Sequence, residues 1–277
     1  LGFNMREALS IYNYYKAFTI KSLEDDIYII TYDLDDIPFS KVDTAAFKLN
    51  IVKDDDRRLE AITYYVMKKM IDQNGDSYLE KEKIKYGVKN FSKIEIDDEK
   101  ISQLLNKLFE KEKIVIDGDD YYLRDIWVAE DFIVNSLYNM VNKDRHTHNN
   151  IDDLLNELED TSGIKYNDKQ RQAVKKAWSN NFLIITGGPG TGKTTIINAI
   201  ASLYGEINKL DYDALTESLV LLAPTGRASK RMSESTGLPA YTIHRFLKWN
   251  KDTMEFMINE DNKSNVKIVI VDEASMI

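Results

Sequence analysis

Between residues 57 and 72 the run RRLEAITYYVMKKMID places apolar side chains at Leu59, Ile62, Tyr65, Val66 and Met70. Steps of three and four residues predict an amphipathic helix with one buried stripe. The spacing returns at about 99–111, where Ile101, Leu104, Leu105, Leu108 and Phe109 share a face. Two β-prone runs then flank Asp117-Gly118 within IVIDGDDYYL, and a turn dipeptide between such runs predicts a hairpin. A helix followed by a hairpin suggests a winged-helix-like unit. Its tip carries Asp117, Asp119 and Asp120, the wrong sign for a phosphate backbone, so the expected role of this wing is structural or partner-facing. Before it, residues 1–54 read as short helices joined by tight turns. Asp35-Asp36-Ile37-Pro38 breaks an Ile/Tyr-rich stretch from the helical pattern SKVDTAAFKL. From 126 to about 162 the pattern is helical and acidic, and Gly163 stands where a helix would stop.

Past this glycine the periodicity changes. A helix is predicted from Asp168, a strand over FLIIT (182–186), a helix from about Lys193 and a strand over SLVLLA (218–223). A helix from about Gly226 and a strand over KIVIVD (267–272) complete the series. Strand alternating with helix predicts a parallel sheet with helices on both faces. The expected organisation is a short-helix region (1–54), a helical and winged-helix-like accessory domain (55–160) and an α/β domain (161–277).

Composition narrows the classes. Lys and Arg number 37 against 46 Asp and Glu, a net charge of −9. That balance argues against a surface embracing nucleic acid everywhere, though not against a local basic track. The absence of cysteine removes disulfides and thiolate metal sites, and fits a reducing, cytoplasmic setting. No run approaches the roughly 20 apolar residues that a membrane-spanning helix needs, so no membrane partner is expected. The chain starts at Leu1 and stops inside a motif at Ile277, the expectation for a piece of a longer protein.

The chemistry concentrates in Gly187-Gly188-Pro189-Gly190-Thr191-Gly192-Lys193-Thr194, a GxxxxGK[ST] loop directly after one predicted strand and before a helix. Its glycines let the backbone N–H groups turn inward around a polyphosphate, at the positive end of the following helix. The stretch from Gly187 to Thr195 would hold ATP. Lys193 would reach the β- and γ-phosphates, and the Thr194 hydroxyl would ligate Mg²⁺. At the end of another apolar strand stand Asp272 and Glu273. Parallel sheets gather ligands at their carboxyl edges, so this pair and the loop can meet. Asp272 would then hold Mg²⁺, and Glu273 would polarise the attacking water, with Lys193 as the third catalytic group.

The run Leu222-Ala223-Pro224-Thr225-Gly226-Arg227-Ala228-Ser229-Lys230-Arg231-Met232, then Thr242-Ile243-His244-Arg245-Phe246-Leu247 and the final Asp272-Glu273-Ala274-Ser275, resemble motifs of RecD-like superfamily 1 DNA helicases. Tyr166 to Val174 is similar to the helicase Q motif, with Gln170 where an amide reads adenine. The short helices before them resemble the helix-hairpin-helix region of the longer bacterial members, although Pro38 stands where that hairpin expects glycine and removes an N–H.

The resemblance implies a RecA-like P-loop NTPase domain preceded by mainly α-helical accessory domains. It further implies an ATP-dependent, Mg²⁺-requiring helicase moving 5′ to 3′ on single-stranded DNA, in DNA repair and recombination. DNA contacts carry over to Thr225, Arg227, Lys230, Arg231 and His244. A solvated cationic helix face competes for Lys230 and Arg231, and a packing histidine for His244. The implied partners are single-stranded DNA, a second RecA-like domain of the same protein and other repair proteins. Without that second domain the chain is expected to bind nucleotide weakly, hydrolyse it slowly and unwind nothing. Two alternatives stay open: another P-loop ATPase acting on nucleic acid, and a non-catalytic docking or DNA-binding module. An EF-hand start at Asp72 fails because Ser77 replaces the turn glycine and Lys83 the bidentate Glu, and His146 and His148 lack a third local ligand for a metal.

Overall fold

Local signals set the first helices. In the computed structural model, which describes residues 1–143, 150–188, 190–251, 253 and 255–277, α1 (Met5–Tyr15) opens on a capping box. Asn4 accepts from the Glu7 N–H at 2.9 Å, and Glu7 accepts from the Asn4 N–H at 2.8 Å. Helices α2 (Thr19–Asp25), α3 (Ile29–Asp33) and α4 (Phe39–Lys48) follow, and Pro38 sits at the N-cap of α4, where its missing N–H costs nothing. The short-helix reading of residues 1–54 is what the chain forms.

The long helix α5 (Asp56–Asn74) departs from the single-stripe expectation. Leu59, Ile62 and Val66 are buried, but so are Arg58, Glu60, Tyr64, Met67 and Ile71. The reason is that α5 is surrounded within its unit by α3 and by α6 (Lys81–Ser92) and α7 (Asp98–Glu110), so several faces are covered at once. The buried Arg58 is neutralised by a two-pronged pair with Asp43 at 2.7 and 2.9 Å, and Asp43 also accepts from the Tyr28 hydroxyl at 2.7 Å. Burial and that carboxylate push the Tyr28 phenol well up from its ordinary range. In α7 the stripe holds for Ile101, Leu104, Leu105 and Leu108, whereas Phe109 in its last turn is 51% exposed.

Between α5 and α6 lies β1 (Tyr78–Glu80), which the apolar pattern does not announce because it is so short. It pairs antiparallel with β3 (Asp120–Leu123), which also pairs with β2 (Ile114–Asp117), giving the order β1-β3-β2. The predicted hairpin is therefore real. Its ladder ends at Asp117 opposite Asp120, leaving Gly118 and Asp119 in the turn.

The chain forms two compact units, Leu1–Ser136 and Leu137–Ile277, and α8 (Arg124–Val141) leads from one to the next. In the second unit α9 (Ile151–Ser162) ends at Gly163 in the left-handed region, and α10 (Asp168–Ser179), α11 (Lys193–Ile207) and α12 (Tyr212–Ser218) follow. Then come β4 (Leu219–Ala223), α13 (Gly226–Thr236), β5 (Ala240–Thr242), α14 (Ile243–Phe246), and a short antiparallel pair, β6 (Trp249–Asn250) with β7 (Glu255–Phe256). Strand β8 (Ile268–Val271) closes the series. The sheet β5-β4-β8 is parallel throughout, with β4 central and every residue of it buried.

Helix α11 is covered on two faces. Ile196, Ala199, Ile200 and Leu203 pack with Leu155 of α9 and with Val174 and Trp178 of α10, while Ile197 and Ala201 pack with Leu219, Leu221 and Met232. This places the start of α11, and the loop before it, between α10 and α13. One strand expectation fails. Residues 182–186 form no ladder, and Phe182 and Ile184 are 40% and 71% exposed. Apolar character predicts strand propensity, but a strand also needs a neighbouring backbone to pair with, and none of the described strands pairs with this segment.

Candidate functional site

The Gly187–Gly192 loop enters α11 through Gly192, whose φ of 82° only glycine adopts freely. The loop is tied to itself. The Lys193 ammonium donates to the carbonyls of Gly187 at 2.7 Å and Gly188 at 3.0 Å, and the Thr191 hydroxyl donates to Gly188 at 2.9 Å. A Cβ on Gly187 would lie 2.7 Å from the Thr191 hydroxyl, so a side chain there requires Thr191 to shift.

Gln170 fastens this loop to α10. Its Oε1 accepts from the Asn167 N–H at 3.0 Å, completing a capping box, and its Nε2 donates to the Thr191 carbonyl at 3.2 Å. The approach is so close that a Cβ on Gly192 would sit 2.3 Å from that Nε2. Gly192→Ala is therefore expected to lower unfolding stability by about 1–2 kcal/mol through the left-handed backbone alone. Contact with Gln170 adds to that cost, and Gly192→Ala made in a Gln170→Ala background, compared with Gln170→Ala alone, should show only the backbone part. Thermal unfolding of the single and double variants checks this. An unchanged transition for Gly192→Ala would show that the loop tolerates a side chain.

Strand β8 delivers the acidic pair. The Asp272 N–H donates to Leu222 at 2.9 Å, extending the β4–β8 ladder to the sheet's carboxyl edge, and Asp272 Oδ1 accepts from the Glu273 N–H at 2.9 Å. Glu273 itself adopts φ 52°, a strained turn for a non-glycine residue.

A cavity of about 630 Å³ joins the two motifs. Gly187, Gly190, Thr191, Gly192, Lys193 and Thr194 line it with Asp272 and Glu273, and Ala228, Arg231, Met232 and Ser235 of α13 complete the wall. The size, the inward curl of the glycines and the opposed ammonium and carboxylates suit a nucleotide polyphosphate with a divalent cation. Of the other sequence candidates, Gln170 touches the loop through Thr191, while Gly188, Thr195, Thr225, Arg227, Lys230 and His244 lie outside the lining, and Pro189 is outside the described residues, as are His146 and His148. Thr225 caps α13, its hydroxyl accepting from the Ala228 N–H at 3.2 Å. The His244 ring packs against Phe256 with centroids 5.7 Å apart.

Three features escaped the sequence reading. The Asn167-Gln170 capping box was legible as N-x-x-Q ahead of an amphipathic helix. Arg231 on the cavity wall could have been found by noting that Ala228, Arg231, Met232 and Ser235 share a helical face. The third had no local signal: buried Glu159 of α9 accepts from the Tyr166 N–H at 2.9 Å and pairs with Arg171 at 3.0 Å, locking the approach to α10. The Tyr166 N–H and then Arg171 hold its carboxyl below the ordinary range.

Comparison with known proteins agrees at both ends of the chain. Residues 1–78 match the family model described as the ATP-dependent RecD2 DNA helicase HHH domain, and residues 170–277 match that of an AAA domain. The ATP-dependent RecD2 DNA helicase of Deinococcus radiodurans is 25% identical over 287 residues, covering 100% of this chain and 38% of its own length. The RecBCD enzyme subunit RecD of Buchnera aphidicola is 34% identical over 185 residues, covering 59% of this chain and 29% of its own length. That of Mycolicibacterium smegmatis is 35% identical over 127 residues, covering 40% and 23%. The chain thus spans well under half the length of these relatives.

Proposed function

We propose, from a chain that is RecD-like from its first helices to its acidic pair, that it carries the nucleotide site of an ATP-dependent DNA helicase. The observation that carries this reading is the single cavity shared by the phosphate loop and the Asp272-Glu273 pair. In it the N–H groups of the loop and the start of α11 would cradle the phosphates, with the Lys193 ammonium released from the Gly187 and Gly188 carbonyls to pair with them. Thr194 and Asp272 would hold Mg²⁺. When bound, Mg²⁺ neutralises charge on the transferring phosphoryl group. Glu273 would orient and deprotonate the attacking water.

Gln170 would mark the adenine side, exchanging one of its present hydrogen bonds for the base. Thr225, Arg227 and Lys230, at the start of α13, remain the candidates to meet single-stranded DNA, with 5′ to 3′ translocation the direction implied by the resemblance. Among the described residues no helix is long and apolar enough to cross a membrane, and the cytoplasm is the setting this function suggests. In the first unit, the succession of α5, β1, α6, α7 and the β2–β3 hairpin supports a winged-helix-like reading. Asp117, Asp119 and Asp120 at its tip favour a protein partner over DNA.

The test is binding of fluorescent single-stranded DNA by this chain, with and without ATP, at low and moderate salt. The expected result is salt-sensitive binding whose affinity shifts with ATP, and loses that response in Lys193→Ala. DNA indifference beside measurable ATP binding would instead favour a P-loop ATPase of another kind.

A further inference from the structure

Helix α13 carries a run of basic residues of which only part reaches the cavity. Ala228, Arg231, Met232 and Ser235 line the nucleotide cavity, whereas Arg227 and Lys230, exposed as Arg231 also is, lie outside the lining, and Lys230 is 3.9 Å from Glu234 on its own helix. Arg231 thus stands apart from the basic residues beside it. Among the described residues its guanidinium makes no ion pair, although two carboxylates line the same cavity.

The packing gives the cavity a direction. Helices α10 and α13 cover different faces of α11, so Gln170 and Arg231 approach the loop from different flanks. Strand β4 leads into α13 at the same sheet edge where β8, its parallel neighbour, ends in Asp272 and Glu273. The acidic pair and Arg231 line one cavity, and Gln170, which fastens the loop from α10, is not among its lining residues. A polyphosphate running from the Gln170 flank would bring its terminal phosphate toward that pair and Arg231. Electrostatics favour a cation there. Asp272 and Glu273 line the cavity a polyphosphate would occupy, and a γ-phosphate would add negative charge that a diphosphate lacks, beyond what the loop N–H groups, Lys193 and the metal would offset.

We infer that Arg231 is a nucleotide-state residue, whose guanidinium pairs with the terminal phosphate of ATP and so distinguishes ATP from ADP from within this chain. It is assigned to the nucleotide and not to the DNA track. Because Arg227 and Lys230 ride on the same helix, the contact would also tie the position of α13 to the nucleotide bound. The inference rests on the nucleotide-site reading above.

The experiment measures binding of fluorescent ATP and ADP analogues, with Mg²⁺, to the full chain and to Arg231→Ala, Arg231→Lys, Lys193→Ala and Lys176→Ala. Arg231→Ala should weaken ATP binding on the order of tenfold or more and ADP binding far less, as expected for loss of a charge-assisted pair to one phosphate. Arg231→Lys should restore part of the ATP preference, since it returns the charge without the planar fork. Lys176→Ala, which removes an exposed cation elsewhere on the unit, should change neither affinity. Equal losses for ATP and ADP, or the same loss in Lys176→Ala, would overturn the inference. If Lys193→Ala abolishes binding while Arg231→Ala keeps the ATP preference, the inference falls and the nucleotide site stands. If the unaltered chain binds neither nucleotide, both fall.

Discussion

Replacing Lys193 with alanine is expected to weaken Mg²⁺–ATP binding by roughly one to two orders of magnitude, the range for losing a hydrogen bond between charged groups of about 1.5–3 kcal/mol. Hydrolysis should fall further, by about 10²–10³, because charge builds on the phosphoryl oxygens as the bond breaks. The fold should survive. Lys193 contributes nothing to either apolar cluster of the second unit, and its present partners are two carbonyls of the loop it follows. Those two bonds matter to the interpretation, since alanine also removes a tie that holds the loop closed. Lys193→Arg separates the two effects: it keeps a cation able to hold the carbonyls but places a larger, planar group where a compact ammonium is needed. Calorimetric titration with Mg²⁺–ATP, beside a thermal unfolding curve, checks the prediction. Affinity within threefold of the unaltered chain would remove the loop from the functional reading.

How much of this was legible in the sequence depended on whether the relevant physics is local. The phosphate loop was legible because the curl around an anion fixes the glycine, lysine and threonine positions relative to one another, and Gly190 and Gly192 take the left-handed φ that favours glycine. The parallel strands β4 and β8 were legible from uninterrupted apolar runs, although only β4 is buried throughout and β8 leaves Val269 and Val271 exposed on one face. Residues 182–186 have the same composition yet form no ladder, because pairing belongs to the neighbour as much as to the segment. The α5 helix was assigned the right type but too narrow a buried surface, since nothing in its own periodicity reports that α3, α6 and α7 surround it.

In the candidate site, motif position grouped Arg231 with Arg227 and Lys230, and of the three only Arg231 reaches the cavity lining. Thr225 and Gln170 show the complementary lesson. Each fits a motif, and each also completes a helix cap, at α13 and α10 respectively. A variant at either position would therefore lower helix stability by about 1 kcal/mol before any ligand is involved. Loss of binding there is informative only when the unfolding transition is measured alongside.

Glu273→Gln is expected to separate binding from chemistry. The substitution keeps the side chain's length and shape and leaves the φ 52° turn and the Asp272 bond to the Glu273 N–H in place, because both involve only the backbone of residue 273. What it removes is an acceptor able to take a proton from water. General-base participation is worth about 10²–10⁴ in rate, so single-turnover hydrolysis by this chain, whatever its absolute rate, should fall by that order while Mg²⁺–ATP affinity holds. Asp272→Asn should show the opposite emphasis. Its carboxylate is placed by the bond from its own N–H to Leu222, at the end of the ladder, and its proposed work is on the metal. The variant should lose the Mg²⁺ dependence of ATP binding as well as hydrolysis. The strained turn explains why the two neighbours can differ so sharply. A strand that simply continued would send successive side chains to opposite faces of the sheet, whereas the left-handed step at Glu273 lets both carboxylates line one cavity. If Glu273→Gln weakens Mg²⁺–ATP binding as much as Asp272→Asn does, both residues serve the metal, and the group that activates water must be sought elsewhere.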